Sequence, residues 1–139
     1  MKDLKDRLEK SNISPNELMI ATGLAHSSIK SLDYVLGFLS SSKVYNESEI
    51  WTRVCRLCMN ECDTVFVKAP SKPPKLKFYH TEAFFGFAAD ADAETNLLQV
   101  EFLCKATKQP DYTWINYDDV SHFIRSRVRY DQHCKDLEL

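Results

Sequence analysis

Three cysteines crowd together at Cys55, Cys58 and Cys62, and the first two have the C-x-x-C spacing that can open a zinc site. A structural zinc needs four ligands converging tetrahedrally, usually from turns, and Cys104, His133 or Cys134 would have to complete the set. Helical periodicity instead puts the three thiols on one face with Trp51, where they read as small core residues. No metal or other cofactor is expected. Catalytic groups are equally sparse. His80 sits beside Glu82, and His122 and His133 follow later, but no nucleophile, base and orienting group fall at a recognisable spacing. With three glycines in the chain there is no Gly-rich phosphate loop, and an enzyme is not expected.

Charge offers binding chemistry instead. Lys68, Lys72, Lys75 and Lys77 surround Pro70, Pro73 and Pro74, so these lysines could form a stiffened wing that contacts phosphates. The same composition also serves to blunt the edge of a sheet. Eight carboxylates between Glu82 and Asp119 face only Lys105 and Lys108. Such a tract can be a solvated face, a dock for a basic protein surface, or a mimic of DNA phosphates that blocks a DNA-handling enzyme. Net charge is −2 overall, distributed as 0 over residues 1–62, +3 over 63–80 and −5 over 81–139. A protein that coats nucleic acid non-specifically is thereby disfavoured, while a reader with one positive face is permitted.

Two kinds of element must position these groups. Up to about residue 62 the apolar period is helical. Leu4 and Leu8 share a face, and Ser14-Pro15-Asn16-Glu17 makes a complete capping-box start for a second helix that stops at Gly23. A third helix is expected from Ala25, with Ile29, Leu32 and Leu36 inward, interrupted at Gly37 and Ser40–Ser42. Asn46 or Ser48 caps a fourth, whose apolar face runs from Ile50 to Cys62. From Asp63 the period becomes two. Thr64–Ala69, Leu76–His80, Phe84–Ala89, Leu97–Lys105 and Tyr112–Ile115 read as strands, with a hairpin turn over Asp90–Asn96. Asn116 is expected to cap a last helix carrying Val120, Ile124 and Val128 on one stripe and Phe123, Tyr130, Cys134 and Leu137 on another.

The stretch Ser14 to Leu32 resembles the Cro/repressor-type helix-turn-helix family, and the likeness extends over about residues 4–62. The family places a capped helix start, an inward leucine, a small residue, a turn glycine, an apolar residue and two apolar positions three apart. Ser14, Leu18, Met19, Gly23, Leu24, Ile29 and Leu32 occupy those places without a gap. Alanine is usual where Met19 stands, and methionine is the large side chain best able to adapt to a crowded helix crossing. The resemblance implies double-stranded DNA as partner, with His26, Ser27 and Ser28 opening a recognition helix, Lys30 and Ser31 on its exposed side, and Asn16 reaching a phosphate or a neighbouring base. Two recognition helices of a homodimer would then span a pseudo-palindrome.

The resulting expectation is an α+β chain. Residues 1–62 form an all-α helix-turn-helix domain, and residues 63–139 a small antiparallel sheet with a C-terminal helix. Phe84, Phe85, Phe87 and Phe102 of the second part would supply dimerisation or partner binding. The function this favours is a phage or prokaryotic transcriptional regulator, for instance a repressor. Its rival is a small phage-type inhibitor or adapter that binds a host protein and keeps the helix-turn-helix only as structure. No apolar run is long enough for a membrane span, the first residues do not read as a secretory signal, and the odd, clustered cysteines suit a reducing interior. A cytoplasmic location follows as an expectation.

Overall fold

The computed structural model describes residues 2–24, 31–42, 44–68, 83–92, 94–103 and 107–126. Helix α1 (Lys2–Lys10) buries Leu4 and Leu8, four apart, and ends where Asn12 takes the left-handed conformation at φ 55°. Helix α2 (Pro15–Ala21) begins with a full capping box. The Ser14 hydroxyl accepts from the Glu17 backbone N–H at 3.1 Å, and the Ser14 N–H donates to Glu17 Oε1 at 3.0 Å. Leu18 and Met19 are buried, and Gly23 at φ +71° turns the chain away.

The third helix corrects the sequence reading. Helix α3 spans Leu32–Ser42, and the Ser31 hydroxyl accepts from the Tyr34 N–H at 3.1 Å as a side-chain cap. A helix running unbroken from Ala25 past Ser31 is therefore excluded. Gly37 does not stop α3, because Val35, Leu36 and Leu39 anchor its inward face. Asn46, the first of the two candidate caps, opens α4 (Glu47–Cys58), with its side-chain oxygen 2.8 Å from the Glu49 N–H.

A single 3-10 turn over Met59–Glu61 leads into β1 (Cys62–Val67). Next come β2 (Phe84–Asp92), β3 (Leu97–Leu103) and β4 (Pro110–Asn116), with the expected hairpin between β2 and β3. The expected strand Leu76–His80 lies outside the described residues. The helix expected from Asn116 does not begin there, and its later residues Val128, Tyr130, Cys134 and Leu137 lie outside the described residues. A 3-10 turn over Tyr117–Asp119 leads instead into strand β5 (Val120–Arg125), antiparallel to β1. Val120 and Phe123 are buried there while Ile124 faces out, so the pairing partner decided between two periods the residues could satisfy.

The five strands form one antiparallel sheet in the order β4-β3-β2-β1-β5. The chain is α+β, and one apolar cluster runs from Leu4 in α1 to Phe123 in β5. Trp51 of α4 is fully buried against Phe123, with ring centroids 5.8 Å apart. Helix α1 closes the free edge of β5. Arg7 donates to the carbonyls of Ser121, Asp118 and Val120, and Ser11 Oγ accepts from the Phe123 N–H at 3.2 Å. An edge strand thus has its backbone groups satisfied by side chains.

At Gly86 strands β2 and β3 leave no room for a side chain. A Cβ there would lie 2.6 Å from the Glu101 carbonyl oxygen and would collide with Val100 Cγ1. Relief requires moving backbone of β3. Gly86→Ala is expected to lower unfolding free energy by about 2 kcal/mol, the scale of overpacking a filled interior. Urea titration checks this, and an unchanged midpoint would show that the sheet absorbs the methyl freely.

Candidate partner-binding face

The residues expected to meet DNA are only partly in view. His26, Ser27, Ser28 and Lys30 lie outside the described residues, as do Lys72, Lys75 and Lys77 of the lysine-proline stretch. Asn16 is half-buried at the start of α2. Ser31 caps α3 and so does not ride on the exposed side of a helix begun at Ala25. Lys68 is exposed directly after β1, where its N–H donates to the Asp119 carbonyl at 2.9 Å. The solvent side of α3 presents Asp33, Tyr34 and Phe38, and α3 contains no lysine or arginine.

The Cys55, Cys58 and Cys62 thiols are buried and unbridged. Burial raises all three above the ordinary thiol range, Cys62 to about 12, so they stay protonated and poorly nucleophilic. Cys104, His133 and Cys134, the possible further ligands, fall outside the described residues. Cys58 belongs to a cluster that sequence reading did not anticipate. Glu17, Cys58 and Glu61 bring their ligand atoms within 4.8 Å of one another, and the Arg125 guanidinium enters the same group. Its Nη2 stands 2.7 Å from Glu17 Oε2 and 3.0 Å from Cys58 Sγ, and its Nη1 lies 3.6 Å from Glu61 Oε2. A cation already present is a poor neighbour for a metal ion. The cluster is better described as a pin from β5 to α2, α4 and the turn between α4 and β1. Only half of it was visible beforehand, as the capping-box role of Glu17.

Glu61 gives this pin a pH dependence. Burial pushes its carboxyl up to about 7, with Glu17 adding to the rise and Arg125 opposing it. The folded chain therefore holds this proton more tightly than the unfolded chain does. The stabilisation is full below the ordinary glutamate range and is lost as pH rises towards 7. Between pH 5 and 7 the wild type should lose on the order of 2 kcal/mol relative to Glu61→Gln, after allowance for the opposing arginine. Unfolding curves of both proteins across that interval check it, and parallel profiles would count against the assignment.

The outer side of the sheet holds several of the large apolar side chains that are exposed among the described residues. Register places Ile124, Thr64, Phe87, Glu101 and Tyr112 in one row across all five strands. A second row sets His122 and Phe85 on either side of Phe66, with the His122 ring stacked on Phe66 at 4.3 Å. A third aligns Asp90, Gln99 and Trp114. Directly opposed residues share a face. Phe85 is 63% exposed, Phe87 57%, Ile124 52%, Tyr112 47% and Trp114 37%, so four aromatic rings and one isoleucine meet water on this side. Burial, together with the nearby Lys10, holds His122 below the ordinary histidine range and so uncharged at neutral pH.

Of the four tail phenylalanines expected to bind partners, two are on this surface. Phe84 and Phe102 turn to the opposite side and pack together at 5.3 Å. Tyr112, Trp114 and Ile124 were not anticipated. The alternation in Asp111-Tyr112-Thr113-Trp114-Ile115 could have revealed the first two.

Comparison with known proteins finds no matching family model, no similar curated protein and no similar solved structure. Among the described residues no helix is long and apolar enough to cross a membrane.

Charge completes the description of the face. Strands β1 to β5 contain no lysine, and their one arginine is the buried Arg125. They do contain Asp63, Asp90, Asp92, Glu101 and Asp111, of which register puts Asp90, Asp92 and Glu101 on the outer side and Asp111 opposite the buried Phe102. Apart from Lys10 near His122, the described part of this face carries carboxylates and no strand lysine or exposed arginine, a balance that favours basic groups over phosphates.

Proposed function

We propose that this chain is a protein-binding adapter or inhibitor that docks a basic protein surface on the outer face of its sheet. One observation carries the reading: exposed aromatics on β2 and β4 flank the acid-bearing β3, in strands that hold no lysine and no arginine. Aromatic sheets that stack on single-stranded bases surround the rings with positive charge, and this one does the reverse. The exposed portions of these side chains amount to roughly 500 Å² of apolar surface, most of what one partner contributes to a standard interface.

A photo-crosslinking phenylalanine analogue at Phe85 identifies the partner, and titration calorimetry with the purified partner then measures affinity. Phe87→Ser should weaken binding by about a hundredfold, as expected for a central aromatic anchor. Phe38→Ser on α3 should leave it unchanged. Equal affinity for wild type and Phe87→Ser would defeat the proposal. A second copy of this chain as the sole adduct would replace it with a homodimer.

A second reading, a homodimeric helix-turn-helix regulator of double-stranded DNA, draws support from the capping box of α2 and the positive-φ elbow at Gly23. Its test is a low-salt mobility shift with randomised duplexes, using Lys30→Glu as the control. A specific, Lys30-dependent shift would favour regulation over docking.

A further inference from the structure

We propose that Phe87, Glu101 and Tyr112 form a site for an arginine side chain of the partner, an inference that rests on the docking role of the sheet face. The three residues occupy adjacent strands in direct register, Phe87 opposite Glu101 and Glu101 opposite Tyr112. Two interstrand spacings put the flanking aromatics roughly 10 Å apart at the backbone, with the carboxylate between them. That width admits one planar cation. Among the described residues the Glu101 side chain has no hydrogen-bond or ion-pair partner, and neither ring carries a cation.

The chemistry selects the cation. A guanidinium is planar and weakly hydrated, bonds a carboxylate in bidentate fashion and lies against aromatic rings, whereas an ammonium keeps its water. Two of the chain's own arginines lie over aromatic rings, Arg7 over Trp51 and Arg53 over Tyr45, each at 4.3 Å from the ring centroid. Two residues along β3, the Asp90–Gln99–Trp114 row again holds an acid and an exposed aromatic, on β2 and β4 with Gln99 between them. The step between the rows is about 7 Å, the repeat of side chains on one side of an extended strand. The favoured occupant is therefore an extended protein segment with arginine at alternate positions.

The test uses a peptide of alternating glycine and arginine, its citrulline counterpart of equal shape without charge, and oligothymidylate. Binding is followed by amide chemical shifts of the full chain. The arginine peptide should shift the amides around Phe87, Glu101 and Tyr112, and the citrulline peptide should bind about tenfold more weakly. Glu101→Gln and Tyr112→Leu, both at solvent-facing positions, should each weaken the arginine peptide by about tenfold with the thermal midpoint unchanged. Equal binding of the citrulline peptide at the same amides overturns the arginine site and leaves the docking face standing. So does a purified partner that loses affinity with Phe87→Ser but not with Glu101→Gln. Absence of shifts, or shifts insensitive to Glu101→Gln, overturns the site as well. Oligothymidylate shifting these amides overturns both proposals in favour of a nucleic acid.

Discussion

Replacing Arg125 by leucine should destabilise the fold by about 3–5 kcal/mol, because it leaves buried carboxylates without their counter-ion. Glu17 is completely buried and meets Nη2 of Arg125 at 2.7 Å, and Glu61 shares the same guanidinium. Domains of this size are stable by roughly 5–15 kcal/mol, so the loss removes a large part of the total. The leucine variant is further expected to regain stability when Glu17→Gln and Glu61→Gln are added, since the penalty comes from unpaired charge and not from lost volume. Denaturant midpoints of the single and triple variants decide this. A single variant within about 0.5 kcal/mol of wild type, the scatter of ordinary surface changes, would contradict the description of a pin.

Trp51→Ala should cost a similar 3–5 kcal/mol, the range for emptying a large aromatic site. Trp51 does three things at once. It fills the space against Phe123, its Nε1–H donates to the Tyr117 carbonyl at 3.0 Å, and its ring carries Arg7. Losing the ring also loosens Arg7, whose hydrogen bonds close the edge of β5. Trp51→Phe keeps much of the volume and should fall between alanine and wild type. A thermal midpoint for Trp51→Ala close to that of the parent would mean that α4 and the sheet do not depend on this contact.

Local signals in the sequence were the ones the structure followed. The capping box at Ser14 and Glu17, the cap at Asn46 (one of two candidates) and the left-handed Gly23 depend on residues within one turn, and the structure has each of them. The change of period near Asp63 coincides with the start of β1, and the polar stretch after residue 90 does turn the hairpin. Signals needing a distant partner were ambiguous. Ile29, Leu32 and Leu36 are compatible with one helix, but the Ser31 hydroxyl caps a helix that begins at Leu32. Ser40 to Ser42 read as a stop, yet the Ser41 and Ser42 hydroxyls bond back to the Gly37 and Leu39 carbonyls and continue the helix. Val120 and Ile124 suit either a helix or a strand, and β1 decided for the strand. The outer face was hard to read for a related reason. In Phe84-Phe85-Gly86-Phe87 both phases of the alternation contain aromatics, so the pattern does not say which side meets water. The Arg125 cluster joins residues more than a hundred positions apart and leaves no pattern in the sequence.

The position of β5 as the last described strand governs how this chain can be assembled. Arg7 and Ser121, which hydrogen-bond across the edge of the sheet, are separated by 114 residues, and Arg125 is the counter-ion of Glu17. While the polypeptide leaves the ribosome, the early helices have neither the strand they rest on nor the positive charge their buried acid needs. They can form turns but not their final packing until synthesis has passed residue 125. Helix docking is therefore expected to wait until β5 has left the ribosome, with the apolar sides of α1 and α4 open to chaperones in the interval.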